Sequence, residues 1–324
     1  MSASQAESRR MPDVTIRLLR EDELETADHI FQVAFGTFLG LPNPEMFAGD
    51  ADLVRTRWKT DPTRFFAAEV EGELVGINVA SNRGSVGFLG PLAIRPDLWN
   101  RGIAQRLMEP IMEQFSAWGN RHTGLFTFAD SPKHLALYQK FGFYPRFLTA
   151  LLSKPVAASM LAAQWSTLSA TPKDEHTAIL QACREVTEAS YEGLDVREEI
   201  QAVEDQRLGE TILLWSGSRL VGFACCHCGA GTEAGSGACY VKFGAVLPGS
   251  DAAERFDQLV QACETEAAAK SLSRLEVGVN LGREEAYRQL LAAGFRTDHI
   301  GVAMERPNEP GYNHSGVYFI DDWR

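Results

Sequence analysis

The chain has 324 residues, about the length of two domains, and is 45% hydrophobic and 23% charged with 28 Gly and 14 Pro scattered along it, which excludes a disordered, collagen-like or coiled-coil protein. Its 31 Lys and Arg against 43 Asp and Glu leave a net charge of -12, which opposes the clustered positive surface that a nucleic-acid partner requires. No stretch approaches the roughly 18 apolar residues of a membrane span, residues 1–20 lack the apolar run of a signal peptide, and six cysteines, none before Cys183, form no even disulfide framework. Reduced thiols, a cytoplasmic location and no membrane partner are the expectations.

In chain order, residues 14–19 alternate as a strand, and residues 22–35 carry apolar side chains at helical spacing (Leu24, Ala27, Ile30, Phe31, Ala34). Residues 65–70 and 74–80 read as strands joined by Glu71-Gly72-Glu73, which is hairpin chemistry. A strand over 85–94 leads to a helix over 102–118 that buries Ile103, Leu107, Met108, Ile111, Met112, Phe115 and Trp118. Pro110 inside it predicts a kink, since an unaccommodated proline costs a helix about 3 kcal/mol. A strand over 124–128, a helix over 133–141 and a last strand near 148–153 follow. The second half reads as a helix over 173–189, strands over 211–215, 220–226 and 238–246, a helix over 251–269, a strand over 274–279, a helix over 284–293 and a strand over 299–305. Strands that are first antiparallel and then separated by helices make a mixed α/β sheet.

The two halves repeat one another. Asp22-Glu23 recurs as Asp174-Glu175, Ala93-Ile94-Arg95-Pro96 as Ala245-Val246-Leu247-Pro248, Gly142-Phe143 as Gly294-Phe295, and Lys154-Pro155 as Arg306-Pro307, all at an offset of 152 residues. Leu74-Val75-Gly76 recurs as Leu220-Val221-Gly222 at 146, so the second copy carries six more residues after it, in the Gly-rich interval 229–237. This predicts a flexible start over 1–13, one domain over 14–156, a linker over 157–169, a second domain over 170–306 and a tail over 307–324. Each domain is expected to be a mixed, mostly antiparallel sheet flanked by helices. Tyr318, Phe319, Ile320 and Trp323 suit the tail to docking.

The informative stretch runs from Gly90-Pro91-Leu92-Ala93-Ile94 through Trp99-Asn100-Arg101-Gly102-Ile103-Ala104-Gln105: a strand breaks at a proline and passes through a turn into a helix. A helix start offers unpaired N–H groups and a positive dipole end, and Gly102 and Ala104 are small enough to let a phosphate approach. The same residues also suit a plain strand-to-helix turn.

This segment resembles the GNAT superfamily of acetyl-CoA-dependent N-acetyltransferases, whose turn reads Gln/Arg-x-x-Gly-x-Gly/Ala. Gly102-Ile103-Ala104 fits its second half, while Trp99 stands at the Gln/Arg place. A second stretch, Ser131-Pro132-Lys133-His134-Leu135-Ala136-Leu137-Tyr138-Gln139-Lys140-Phe141-Gly142-Phe143, is similar to the family's Asn-x-x-Ala-x-x-Leu-Tyr-x-x-x-Gly-Phe, with Ser131 in place of Asn. The resemblance implies that the backbone of Leu92, Ala93 and Ile94 pairs with the pantetheine arm of acetyl-CoA. It implies that Asn100, Arg101, Gly102, Ile103, Ala104 and Gln105 cradle the pyrophosphate. The N–H near Leu92 would hold the oxyanion, and Tyr138 would act as general acid toward the departing thiolate. Tyr138 reads alternatively as a core aromatic at helical spacing with Leu135 and Phe141, and Ser131 either bonds the cofactor amide or caps a helix. The amine's base stays open among Glu69, Glu73, Asp130, His29 and His122, because residues 85–91 hold no carboxylate.

In the second copy, Asp251 and Glu254 would repel a pyrophosphate, and Leu290 stands at the tyrosine position, so a structural or acceptor-shaping role is expected. Residues 229–234 match a dinucleotide fingerprint as text, but no helix follows. Cys225-Cys226-His227-Cys228 and Cys239 would point to opposite faces of strands, so no metal is expected. The expectation is a tandem protein whose N-terminal copy transfers acetyl from acetyl-CoA to an amine acceptor by direct attack, as a monomer or homodimer. The alternative is a non-catalytic acyl-CoA-binding or interaction module, suggested by Trp99, Ser131 and the missing strand glutamate.

Overall fold

The computed structural model describes residues 13–157 and 164–324. The first half runs β1 (Val14–Leu18), α1 (Leu24–Phe38), α2 (Leu53–Thr60), β2 (Phe65–Val70), β3 (Glu73–Arg83), β4 (Val86–Leu89), β5 (Ala93–Ile94), α3 (Ile103–Trp118), β6 (His122–Thr127), α4 (Pro132–Gln139) and β7 (Tyr144–Pro155). The second runs β8 (Trp165–Thr167), α5 (His176–Glu188), α6 (Arg197–Gln206), β9 (Gly209–Ser216), β10 (Arg219–Gly229), β11 (Gly235–Val246), α7 (Ala252–Ala269), β12 (Arg274–Asn280), α8 (Glu284–Ala292) and β13 (Arg296–Arg306), and β14 (Phe319–Ile320) follows. The order of elements repeats, and the fold is a mixed α/β sheet flanked by helices. The stretch read as a flexible start lies, except for Asp13, outside the described residues. So does 158–163 of the stretch read as a linker, while Trp165–Thr167 in the same stretch pair with β9.

One sheet joins the halves, in the order β1-β2-β3-β4-β6-β13-β7-β12-β11-β10-β9-β8, with β5 beside β3 and β14 beside β11. The last strand of each half is exchanged. β13 pairs with β6 of the first half (Val302↔Thr127 to Arg306↔Thr123), and β7 pairs with β12 of the second (Thr149↔Asn280 to Pro155↔Arg274). Strand alternation specifies which face a side chain takes but not which strand lies alongside, so the exchange cannot be read from periodicity.

Around the first half of the sheet, side-chain alternation feeds two faces. Leu74, Ile77 and Val79 of β3 and Phe65 and Ala67 of β2 meet Ala27, Ile30, Phe31 and Ala34 of α1, while Val75, Ala68 and Ala80 meet Ile103, Leu107, Met108, Ile111 and Phe115 of α3. Met112 and Trp118 of the predicted stripe are only partly buried. α3 continues through Pro110 to Trp118. The helices α2 and α6 were not apparent in the sequence, being short and largely charged, with Val54 alone or Ile200, Ala202 and Val203 as their buried apolar residues.

The tail docks. Phe319 and Ile320 pair with Ala245 and Gly244 of β11, the Asp321 N–H donates to the Gly278 carbonyl of β12 (2.8 Å), and Phe319, Ile320 and Tyr312 are fully buried. Trp323 lies against Gly124 of β6, so closely that a β-carbon there would sit 2.1 Å from its ring. Phe319→Ala is expected to cost about 3–5 kcal/mol, the usual range for deleting a buried aromatic. Urea unfolding should show a lower midpoint with an unchanged slope.

Candidate functional site

The sheet opens at one place in the first half. β4 pairs with β3 on one side and with β6 on the other, up to Leu89↔Leu125. The strand then breaks at Gly90-Pro91, where proline lacks the N–H a ladder needs. It resumes as β5, which pairs with β3 alone (Ile77↔Ala93, Gly76↔Ile94). The Arg95 N–H donates to the Val75 carbonyl at 2.9 Å. By the alternation of an antiparallel ladder, Ala93 therefore spends its backbone groups on β3, whereas Ile94 turns its own away from β3 into the wedge toward β6; Leu92 lies just outside the ladder. The Ile94 carbonyl accepts the Trp99 indole N–H at 2.7 Å. Of the three residues expected to meet a pantetheine arm, Ile94 thus faces the wedge, Ala93 does not, and Leu92 stands between the strand break and the ladder.

The wedge leads to the turn before α3. Asn100 (φ 63°) and Gly102 (φ 76°) are both left-handed, and Gly102 is the N-cap of α3. Among the described residues, no acceptor meets the N–H groups of residues 100–105, and the first turn of α3 carries no acidic side chain. Successive free amides at a helix N-terminus form an anion site. Arg101 is half-buried with no carboxylate in ion-pair range among the described residues, and the Lys133 ammonium of α4 lies 5.1 Å from the Trp99 ring centroid. Trp99, at the place where the family pattern has Gln or Arg, thus ties the turn to β5 through its indole and seats a second cation beside it.

Tyr138 of α4 is buried with Leu89 and Leu125, and with partly buried Leu92, at the mouth of this wedge. Its hydroxyl has no partner among the described residues, and burial pushes its pKa up, so it keeps its proton. One turn earlier on the same helix face is His134, whose ring lies 4.7 Å from Phe38 and 5.7 Å from Phe128 and whose Nδ1 is buried without a partner among the described residues. Burial and then the Lys133 charge hold its pKa below the usual imidazole value, against the pull of Asp130. His134 is a neutral acceptor that sequence reading missed. The only available sign was a histidine at the Ala place of the second motif. Ser131 is the N-cap of α4, its Oγ accepting the His134 N–H at 3.4 Å.

The five residues left open as bases are differently placed. Glu69 pairs with Arg17, exposed Glu73 with Arg95, and buried His122 lies 3.3 Å from Glu305 at the junction of the halves. Asp130 and His29 are both exposed. Asp28 of α1, which drew no attention in the sequence, is raised to about 6 by burial and by Asp52, and its Oδ1 has no partner among the described residues.

The corresponding place in the second half is filled. Leu247 N–H donates to the Val221 carbonyl as Arg95 does to Val75, and β11 leaves β12 beyond Val241. Into that wedge comes β14, pairing with Gly244 and Ala245, the repeats of Leu92 and Ala93. Asp251 stands at the start of α7 and pairs with Arg255 at 3.1 Å, and Leu290 is fully buried. The six cysteines are thiols; those of β10 alternate, with the Cys226 sulfur 3.9 Å from that of Cys263 and the Cys228 sulfur 3.8 Å from that of Cys239. No group of three or more metal-ligating side chains converges, and no helix is long and apolar enough to cross a membrane, among the described residues.

Residues 28–143 match the model of the acetyltransferase (GNAT) family. An acetyltransferase of Pectobacterium atrosepticum is 29% identical over 125 residues, 39% of this chain and 84% of that relative. A crystal structure from Pyrococcus horikoshii superposes over 99% of each chain with a TM-score of 0.69 at 13% identity. A tandem GNAT protein from the clavulanic acid biosynthesis pathway superposes with a TM-score of 0.56 at 12% identity, over 90% of this chain and 98% of that one. At these identities the structural likeness is one of fold.

Proposed function

Because residues 28–143 of this chain belong to the GNAT family of acetyltransferases, we propose that the first half transfers the acetyl group of acetyl-CoA to an amine by direct attack, and that the second half binds no cofactor. The observation that carries this reading is the pairing of an open wedge with a turn of unpaired N–H groups in one half, against a filled wedge and an acidic turn in the other.

In this reading the N–H groups of residues 100–105 hold the pyrophosphate, with Arg101 adding charge, and the backbone of Leu92 and the N–H of Ile94, whose carbonyl is taken by Trp99, align the pantetheine arm. Ala93 braces that strand on β3, and Ser131 acts by capping α4. The amine nitrogen attacks the thioester carbonyl carbon, and the carbonyl electron pair moves to oxygen, where the Leu92 N–H donates to it. The nitrogen's proton passes to the neutral imidazole of His134. When the intermediate collapses, the C–S bond breaks and the thiolate takes its proton from the Tyr138 hydroxyl. The products are the amide and free CoA, and the proton held by His134 then returns to the Tyr138 phenolate, which restores both groups.

A thiol-release assay with acetyl-CoA over a panel of primary amines tests the activity. Turnover on at least one acceptor is expected, and tight binding of acetyl-CoA with no turnover on any would favour a non-catalytic acyl-CoA module. With an acceptor found, His134→Ala is expected to lower kcat/KM about a hundredfold near neutral pH, the low end for losing a general base. Since the His134 pKa lies below its ordinary 6.5, the unprotonated, active form prevails above that value. The acid limb of the unaltered protein's profile should therefore fall below pH 6.5.

A further inference from the structure

Arg57 of α2 is 6% exposed and joins three distant parts of the chain. Its Nη1 donates to the Gly90 carbonyl at 2.7 Å. Its Nη2 donates to the Arg324 carbonyl at 2.6 Å and to Glu233 Oε2 at 2.6 Å, and its Nε to Glu233 Oε1 at 3.0 Å. Glu233 sits in the interval where the second copy carries its six extra residues. That loop is fastened to the start of α2: the Asp52 N–H donates to the Thr232 carbonyl (2.8 Å), the Gly231 N–H to the Asp50 carbonyl (3.2 Å) and the Ser236 N–H to Asp50 Oδ1 (2.8 Å). Behind Glu233 stands Lys242 (2.7 Å), which also pairs with Glu199 (3.0 Å). Glu199 meets Arg83 (3.3 Å), and Arg83 meets Asp321 of the tail (2.9 Å).

Gly90 is the residue at which the strand leaves β6, two positions before Leu92. A guanidinium is planar and presents its donors in a fixed fork, so two of its sides bound to Glu233 and Arg324 leave the third aimed at one point. That point is the Gly90 carbonyl. We propose that Arg57 is a positioning residue for the pantetheine wedge, and that the second half and the tail act on the first half's site through it. The six-residue insert and the tail carbonyl hold the guanidinium, and the guanidinium holds the strand break. The turn at residues 100–105 lies outside this chain of contacts, so the nucleotide end of the cofactor is indifferent to it. The inference rests on the acetyl-CoA reading above.

Two calorimetric titrations separate the two claims, one with acetyl-CoA and one with 3′-phospho-ADP, the nucleotide without its pantetheine arm. Arg57→Lys keeps the charge facing Glu233 but loses the fork, and is expected to weaken acetyl-CoA about tenfold while leaving 3′-phospho-ADP within about twofold. Glu233→Gln, which retains an acceptor for Nε and drops the charge, should shift acetyl-CoA in the same direction by about threefold, and serves if the lysine variant does not fold. Unchanged acetyl-CoA affinity in both variants, or equal weakening of both probes, would overturn the positioning role while leaving the cofactor reading standing. Failure of the unaltered chain to bind either probe would overturn both.

Discussion

The Gly102→Glu variant is expected to bind no acetyl-CoA in a calorimetric titration that saturates the unaltered chain, a loss of at least about a hundredfold in affinity. Two effects act together. Gly102 has φ 76°, where any side chain is strained by about 1–2 kcal/mol, and it caps the helix whose N–H groups face the wedge. A carboxylate there would also occupy the place proposed for the pyrophosphate and satisfy the same amides. Gly102→Ala isolates the backbone part and should bind measurably, with a small fall in unfolding midpoint. Retained affinity in the glutamate variant would mean that the phosphates lie elsewhere. Leu290→Tyr, by contrast, should add no second site, because β14 fills that wedge and Asp251 stands at its turn.

Tyr138→Phe is expected to lower kcat by about 10²- to 10⁴-fold, the range for losing a general acid, while acetyl-CoA affinity stays within about twofold. The ring packs among Leu89, Leu125, Met108 and Phe143, and that packing survives the loss of one oxygen whose hydrogen-bond partner is absent among the described residues. Burial raises the hydroxyl's pKa, so deprotonation moves to higher pH than for an ordinary tyrosine. In the unaltered enzyme kcat should therefore show no basic limb from Tyr138 below pH 10. A variant with unchanged kcat would make Tyr138 a core aromatic and nothing more.

These residues were legible because their signals are local. A left-handed glycine before a helix, a proline that ends a strand and a tyrosine four residues before Gly-Phe can be recognised within a dozen residues. The amphipathic helices α1, α3 and α7 announced themselves by spacing, and the 152-residue offset carried the tandem order of elements. The exchange of β7 and β13 was hidden because alternation reports a face, not a neighbour. Arg57 was hidden for a related reason. Its partners are Gly90, Glu233 and Arg324, separated from it by 33, 176 and 267 positions. Alone in the sequence it is one basic residue on a short helix. His134 and Asp28 carry no motif either; burial first, then Lys133 beside the imidazole and Asp52 beside the carboxyl, gives them their shifted protonation, and burial exists only once the chain has folded. The tail's aromatics mark a docking segment, but their seat at the repeats of Leu92 and Ala93 becomes visible only in the pairing of β14 with β11.

On the proposed function, one half of the chain holds acetyl-CoA and the other has closed the same cleft with its own tail. The stoichiometry of acetyl-CoA binding measured by calorimetry tests it directly. One equivalent per chain, reduced to none by Gly102→Glu, is the predicted result; two equivalents per chain, or one that survives Gly102→Glu, would contradict it.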